Sequence, residues 1–347
     1  MNTPIVTSRS VLITYPEVQA ARGLLPSVLQ HWIDRLGGDL SRICGYQLGL
    51  CRSDGTPTGK IDGKLLRPAF AFLCSAVAGG VPTDVVPAAA AIELLHNASL
   101  IHDDIMDGDR ERRHRPTVWA EFGIPSAILA GDALIALAFD VLVGSKNQAT
   151  SDAVANLAKT LRLLARGQDS DLRFENTSIV GVDDCLAMMA GKTGALLGWA
   201  CRSGVAYAAA PAVWLDRFEQ FGTRLGVAFQ LVDDVLGIWG DPQVTGKPVG
   251  SDLRDRKKSA PVVAALTAGT AASARLAGFY SGARGFTDKE VTLLTELVAD
   301  AGGRNWALSE AERQLSAAWD LLDGLELEPT ARRSLTTLTS DLITRRR

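Results

Sequence analysis

The sequence is poor in the features that mark most alternative classes of protein. Its five cysteines, Cys44, Cys51, Cys74, Cys185 and Cys201, are odd in number and scattered, with no C-x-x-C pair. That pattern argues against a disulfide framework or a zinc site and fits buried thiols in a reducing compartment. Basic charge is not in excess: 36 Lys and Arg stand against 39 Asp and Glu, for a formal net charge of −3. No global field therefore points to nucleic acid, and any Lys or Arg matters locally. The opening "MNTPIVTSRSVLITYPEV" has no basic start followed by an apolar block, so no signal peptide is expected. The longest apolar run, "AILAGDALIALAFDVLVG", is interrupted by Asp132 and Asp140 and reads as a buried helix, not a membrane span. Alternating β-branched runs are nearly absent, and no short-period repeat or long flexible linker is evident. The expectation is a soluble, cytoplasmic protein.

What is present is helix. Apolar residues make up 47% of the chain, enough for a sizeable core. Ala- and Leu-rich segments with helical spacing recur from residue 24 onward. The first places Leu25, Val28, Leu29, Trp32 and Leu36 on one stripe, and the turn cluster "RSDGTPTGKIDG" follows. Further helices are expected near 63–79, from about 86 into the acids at 103, and near 126–145, 150–174, 182–205, 212–240, 255–268, 287–302, 304–324 and 328–343. The pattern predicts an all-α fold, one domain of ten or more helices over residues 21–347. Residues 1–20 lack periodicity and read as a mobile tail.

Chemistry concentrates in "LIHDDIMDGDRERRHRPTVW", residues 100–119, where Asp103, Asp104, Asp107 and Asp109 run into Arg110, Arg112, Arg113 and Arg115. Asp103 and Asp107 share a helix face, a spacing at which like charges cost about 0.2–0.5 kcal/mol per pair. Alone, such acids are ordinary caps or turn residues. A second set follows 130 residues downstream in "FGTRLGVAFQLVDDVLGIWGDP", where Gln230 lies one turn before Asp233 and Asp234. Acid pairs closing two apolar helices are costly unless a cation offsets them. Hard oxygen donors with no nearby cysteine favour Mg2+, which shares a few carboxylates with substrate phosphates and water. Phosphate oxygens not covered by metal need Arg or Lys. Candidates are Lys64 and Arg67 in "GKLLRP", Lys192 in "GKTGALL", and Lys247, Lys257 and Lys258 in "GKPVGSDLRDRKKSAP". Any one of these lysines is ordinarily a solvated surface charge. "GKTG" is not a P-loop, because residue 186 is Leu where that motif needs Gly.

With these motifs in order, the sequence resembles the trans-isoprenyl diphosphate synthases, or polyprenyl synthetases, of the geranylgeranyl diphosphate synthase kind. "GKLLRP", "ELLHNASLIHDDIMD", "RRHRPT", "GKTGALL", "FQLVDD" and "GKPVGSDLRDRKK" span roughly residues 60–270 with family-like spacing. The resemblance implies an all-helical bundle around a deep central cavity, usually a homodimer. It implies that the enzyme condenses isopentenyl diphosphate with a dimethylallyl, geranyl or farnesyl diphosphate. It places three Mg2+ ions in the site, two on Asp103 and Asp107 with Asp104 supporting through water, and a third on Asp233, beside Asp234. It assigns Arg112, Lys192 and Lys257, with Lys247 nearby, to the allylic diphosphate, and Lys64, Arg67, His96 and Arg113 to isopentenyl diphosphate. Thr193 and Gln230 would face the carbon that becomes cationic. His102 reads as a core histidine.

One position departs from the family pattern. The second acidic motif is "DDVLG", with Gly237 where a fifth-position Asp would stand and Asp241 four residues on. The departure leaves room for a modified reaction; the rival readings are a class I terpene cyclase, which shares the fold, metals and ionisation, and a catalytically silent partner subunit, for which Gly237 is the one support. The basic set at Lys64, Arg67, His96 and Arg113 favours chain elongation over cyclisation, and the intact first cluster argues against a silent subunit. Product length should depend on Ala98 and Ser99, five and four positions before Asp103, with Leu95 one turn further. An aromatic at one of the first two positions commonly stops the resembling family at C15. Both are small here, so a C20 product is expected, with Leu95 or Phe139 as a deeper floor.

Overall fold

The structure is a computed structural model that describes residues 15–241, 249–282 and 285–343. In chain order its helices are α1 (Pro16–Asp34), α2 (Gly38–Leu48), α3 (Leu66–Val77), α4 (Pro82–Met106), α5 (Val118–Phe122), α6 (Ile124–Val143), α7 (Thr150–Asn176) and α8 (Val182–Met189). A five-residue π-turn (Ala190–Gly194) leads into α9 (Ala195–Tyr207). Then come α10 (Ala212–Trp239), α11 (Ser251–Arg254), α12 (Ala260–Thr267), α13 (Ala271–Tyr280), α14 (Asp288–Asp300), α15 (Gly303–Asp320) and α16 (Pro329–Ile343). The all-α expectation is borne out. α1 already begins at Pro16, inside the segment expected to be a mobile tail; residues 1–14 lie outside the described residues. So does Lys247.

The chain forms two compact units. The first comprises the residues up to Ala158 with Ala200–Leu215 and Leu327–Ser334; the second comprises Lys159–Trp199, Asp216–Glu326 and the residues from Leu335. In the first, α1 buries the stripe Val18, Ala21, Leu25, Leu29 and Ile33. The fully buried Ala88–Ala91 run lets α4 pack closely against its neighbours α3 and α6. Both α4 and α6 are long and apolar enough to cross a membrane by length and composition, but most of α4 is buried in the protein.

A short hairpin interrupts the helices after α4. Strands β1 (Glu111–Arg112) and β2 (Arg115–Pro116) pair antiparallel, joined by Arg113 and His114 at φ 55° and 62°. Two successive left-handed residues form the turn that fits strand twist, yet that turn normally takes Asn-Gly. Arg and His are strained there. Among the described residues, five non-glycine positions have positive φ: Leu65, Arg113, His114, Ala209 and Arg256. All but Ala209 sit in or beside the basic motifs, where stored strain is commonly functional.

Among the described residues of the second unit, two apolar clusters form the core. One gathers Cys185, Met188, Leu231, Val235, Val263 and Ala311; the other gathers Ile238, Leu253, Val262, Leu276, Leu294 and Val298. α12 contributes to both, so its start is a fixed point beside the end of α10. The helix expected over 255–268 starts only at Ala260, as α12; the short α11 lies before that span, and Arg256 in the left-handed region separates the two.

Candidate active site

In the first unit, Asp103, Asp104 and Asp107 occupy the C-terminal end of α4, with Asp107 as the C-cap. That is the negative end of the helix dipole, the end at which acids are disfavoured. The three are not equivalent. Asp103 is half-buried and Asp107 exposed, while Asp104 is only 1% exposed. Arg112 Nε and Nη2 each reach Asp104 Oδ1 at 2.6 Å. Burial raises the Asp104 pKa; the Arg112 hydrogen bond and charge oppose that, and Asp109 and Asp107 add to it. Asp104 Oδ2 is buried with no hydrogen-bond partner. A water on a neighbouring metal ion is a suitable donor for such an orphaned oxygen. The residues therefore fit Mg2+. Among the described residues no group of three or more His, Cys, Asp or Glu is gathered as a preformed cage, and an ion here would complete its shell from substrate phosphate and water. Arg112, assigned by the resemblance to the allylic diphosphate, is first of all the residue that holds Asp104.

The hairpin gathers the basic residues. Asp104, Arg112, Arg113 and Arg115 line one cleft with Tyr46 and Gln47. Arg115 pairs with Asp62 at 3.2 Å, donates to the Gln47 carbonyl at 2.9 Å and lies 4.5 Å over the Tyr46 ring. Arg22 Nη2 donates to the Gly63 carbonyl at 3.0 Å, and the Arg113 guanidinium lies so near Gly63 that a Cβ there would come within 3.0 Å of it. The loop that presents the exposed Lys64 is thus held by α1 and by the hairpin. Leu65, left-handed, turns the chain into α3, where Arg67 Nη1 meets His96 Nε2 at 3.2 Å. Arg67 can only donate, so Nε2 accepts and His96 keeps its proton on Nδ1. Burial, and then Arg67, Arg113 and Arg112, push the His96 pKa well below its ordinary value.

Sequence reasoning missed the acid beneath this group. Glu93 is buried, and its Oε1 accepts from Asn97 Nδ2 at 2.8 Å. Burial raises its pKa, while Asn97, Arg113 and Arg67 act to lower it. A lone Glu in the apolar run "AAAAIELLHN" was the available signal.

The depressed His96 pKa has a consequence for stability. The unfolded chain takes up this proton first, near pH 6.5. The His96 contribution is therefore fully present above about pH 6.5 and is lost as pH falls toward the folded-state pKa. Glu93 and Asp104, with raised pKa values, act in the opposite sense at the acid end. Melting temperatures between pH 8 and pH 5 should fall more steeply for the wild type than for His96→Gln. Equal slopes would contradict a neutral His96.

In the second unit, Asp233 and Asp234 divide in the same way as the first pair. Asp233 is exposed and Asp234 is 3% exposed. Asp234 Oδ2 accepts the Ala260 N–H at 2.9 Å, capping the start of α12, and Oδ1 accepts Gln230 Nε2 at 2.9 Å. Gln230 Oε1 accepts Thr193 Oγ1–H at 2.9 Å. The four groups form one chain that fixes the Gln230 amide and the Thr193 hydroxyl. Asp234, grouped in the sequence reading with the catalytic acids, is a positioning residue.

Thr193 and Lys192 lie in the π-turn, inside a continuous helical stretch and not a strand-to-helix loop. A Cβ on Gly167 of α7 would lie 2.4 Å from the Lys192 backbone nitrogen, so α7 crosses the turn at van der Waals contact. Such bulges widen a helix where function needs it. Lys192 Nζ donates to Asp171 Oδ2 at 2.6 Å, and neither end of the buried Gln168 amide has a hydrogen-bond partner. Asp171 and Gln168 both escaped the sequence reading. The run "DRKK" resolves into separate tasks. Arg256 donates to the Tyr280 carbonyl at 3.1 Å and lies 4.4 Å over the Phe286 ring. Lys258 Nζ donates to the Phe174 and Thr177 carbonyls, each at 2.6 Å, and closes the end of α7. It is a structural cation, which leaves the half-buried Lys257 as the phosphate candidate of the described run. His102, expected in the core, is instead half-buried: it lies against Gly131 of α6 with its Nε2 3.8 Å from Asp132 Oδ1 and 3.4 Å from the Ile128 carbonyl. A cavity of about 620 Å³ in this unit, lined by Lys159, Glu219, Arg224 and Gln314 among others, includes none of the candidate residues.

Comparison with known proteins adds to this geometry. Residues 57–298 match the family model described as polyprenyl synthetase. The chain is 41% identical over 312 residues to a (2E,6E)-farnesyl diphosphate synthase of Mycobacterium tuberculosis, covering 89% of this chain and 87% of that one. It is 42% identical over 302 residues to a geranylgeranyl diphosphate synthase of the same organism, covering 87% and 86%. A solved polyprenyl synthetase from Streptomyces coelicolor A3(2) superposes with a TM-score of 0.90 at 42% identity, covering 94% of this chain and 99% of that one.

Proposed function

The chain belongs to the polyprenyl synthetase family and is a trans-prenyl diphosphate synthase, a transferase; from that premise we propose that it is a Mg2+-dependent enzyme making C20 geranylgeranyl diphosphate from isopentenyl diphosphate and a shorter allylic diphosphate. The observation that carries the reading is the division of labour shared by both acidic motifs. In each, the second Asp is buried and held by hydrogen bonds while the first is presented outward. Asp103 and Asp107 would hold two Mg2+ and Asp233 a third; bound there, the ions would supply neutralisation of a departing diphosphate.

The protein's own residues would do the rest. Lys192, released from Asp171, and Lys257, with Lys247 and the remaining N–H of Arg112, would bind the allylic diphosphate and stabilise charge as the C–O bond breaks. Thr193 spends its proton on Gln230, so its oxygen lone pairs are available to the electron-poor carbon. Lys64, Arg67, Arg113 and the Nδ1–H of His96 would hold isopentenyl diphosphate with its alkene toward that carbon. The alkene forms the new C–C bond, and the proton lost from the adjacent carbon goes to the released diphosphate. No protein nucleophile is required.

We read the chain from α1 onward as one catalytic domain and the protein as cytoplasmic. α4 then serves as a core helix and α6 as a contact between two copies. Less than half of α6 is buried, and Ile124, Ile128, Leu129 and Val143 are exposed on it, which supports a homodimer. A monomer mass in solution would refute that.

Steady-state kinetics test the two diphosphate sites. Lys64→Ala and Arg113→Ala should each raise KM for isopentenyl diphosphate about tenfold or more, the loss of a charged hydrogen bond, with little change for the allylic substrate. Lys192→Ala should do the reverse and also lower kcat, because it touches the leaving group. Identical profiles for the three variants would contradict the assignment.

A further inference from the structure

Lys64, the exposed lysine read as a ligand of isopentenyl diphosphate, lies outside helix and strand. It follows Gly63 at φ 97° and precedes Leu65 at φ 51°. A Leu keeps that left-handed conformation only where its surroundings fix it. Both flanks of the loop are anchored. The Asp62 N–H donates to the Leu48 carbonyl at 2.9 Å, its carboxylate pairs with Arg115 at 3.2 Å, and Leu65 is buried. Between these anchors the Gly63 carbonyl accepts from Arg22 Nη2 at 3.0 Å. We propose that Arg22 is a positioning residue of the isopentenyl diphosphate site, fixing the Gly63–Lys64 peptide and through it the Lys64 side chain. This rests on the prenyl synthase reading.

The placement of Arg22 on α1 argues that the contact has a use. Arg22 stands four residues after Val18 and three before Leu25, and both of those are fully buried. Such spacings share a helix face, so a cation enters the edge of an apolar stripe, where losing water is costly. Its Nε is buried with no hydrogen-bond partner. The guanidinium therefore gives up hydration on one side while it reaches the Gly63 carbonyl with another N–H. A charged donor makes that bond one of the stronger kind. The peptide is planar and trans, so its C=O and N–H point in opposite directions. Holding the Gly63 oxygen sets the plane from which Lys64 departs. Arg22 belongs to none of the basic motifs and precedes residues 57–298, which match the family model.

Steady-state kinetics of the full chain test the assignment. Arg22→Met keeps an unbranched apolar stem along α1 and removes every donor. It should raise KM for isopentenyl diphosphate about fivefold or more. The kcat and the KM for the allylic substrate should stay within about twofold of wild type. Arg22→Lys can still donate to the carbonyl and should recover most of the loss. Because Arg22 acts through Lys64, adding Arg22→Met to Lys64→Ala should raise KM no further than Lys64→Ala alone. Should Arg22→Met fail to fold, Arg22→Gln makes the same comparison with a smaller polar head. Multiplying KM effects in the double variant would overturn the proposal, as would equal losses for both substrates. So would wild-type constants with only a lowered melting temperature. A wild type that consumes no isopentenyl diphosphate would instead refute the prenyl synthase reading, and the proposal with it.

Discussion

Asp103→Ala is expected to lower kcat by at least about 10³-fold, the scale at which a group stabilising transition-state charge is lost. The variant should nonetheless fold and melt near the wild-type temperature in the absence of metal. Asp103 stands at the negative end of α4 with Asp107 one turn on, so removing it relieves repulsion worth about 0.3–1 kcal/mol from the dipole alone. What it should lose is the rise in melting temperature that Mg2+ and diphosphate together give by binding the folded state. Turnover at wild-type rates, or a low metal-free melting temperature with the ligand shift intact, would mark Asp103 as a structural turn residue.

The second large effect concerns product length. Ala98 is fully buried, and Ser99 is half-buried with its hydroxyl donating to the His96 carbonyl at 2.8 Å. Neither offers a wall against a growing apolar chain. Leu95 is buried one turn earlier on α4, and Phe139 is half-buried on the neighbouring α6. Relatives of nearly equal identity are named as a farnesyl and as a geranylgeranyl diphosphate synthase, so identity alone does not choose. If the chain grows past position 98, Ala98→Phe fills that path, removes no ligand and shifts the product from C20 to C15 at substantial activity. If Ala98 instead serves helix packing, the added ring overpacks the core at a cost of about 1–3 kcal/mol. A lowered melting temperature with an unchanged product would withdraw the length assignment.

Much of this was legible in the sequence because it is local. Apolar spacing located α4, α6, α7 and α10, and the acids at the end of α4 and within α10 declared themselves by type. α2 was missed because "GDLSRICGYQL" starts on glycine and abuts a turn-rich stretch, and α13 fell between two expected helices. The division of each acid pair was not readable. It depends on partners such as Ala260 for Asp234, and on Arg112 returning through a hairpin that no β-propensity announces. The "DRKK" run misled for the same reason: the carbonyls that Lys258 caps lie more than eighty residues earlier. The π-turn has no sequence signature beyond glycines at 191 and 194, whose use lies in contacts with other helices.

Incubating the enzyme with Mg2+, an allylic diphosphate and labelled isopentenyl diphosphate, and weighing the products by mass spectrometry, tests the central claim most directly. The account predicts a labelled prenyl diphosphate of C20 and no turnover when isopentenyl diphosphate is omitted. A hydrocarbon formed from the allylic substrate alone, or no labelled diphosphate at all, would contradict it.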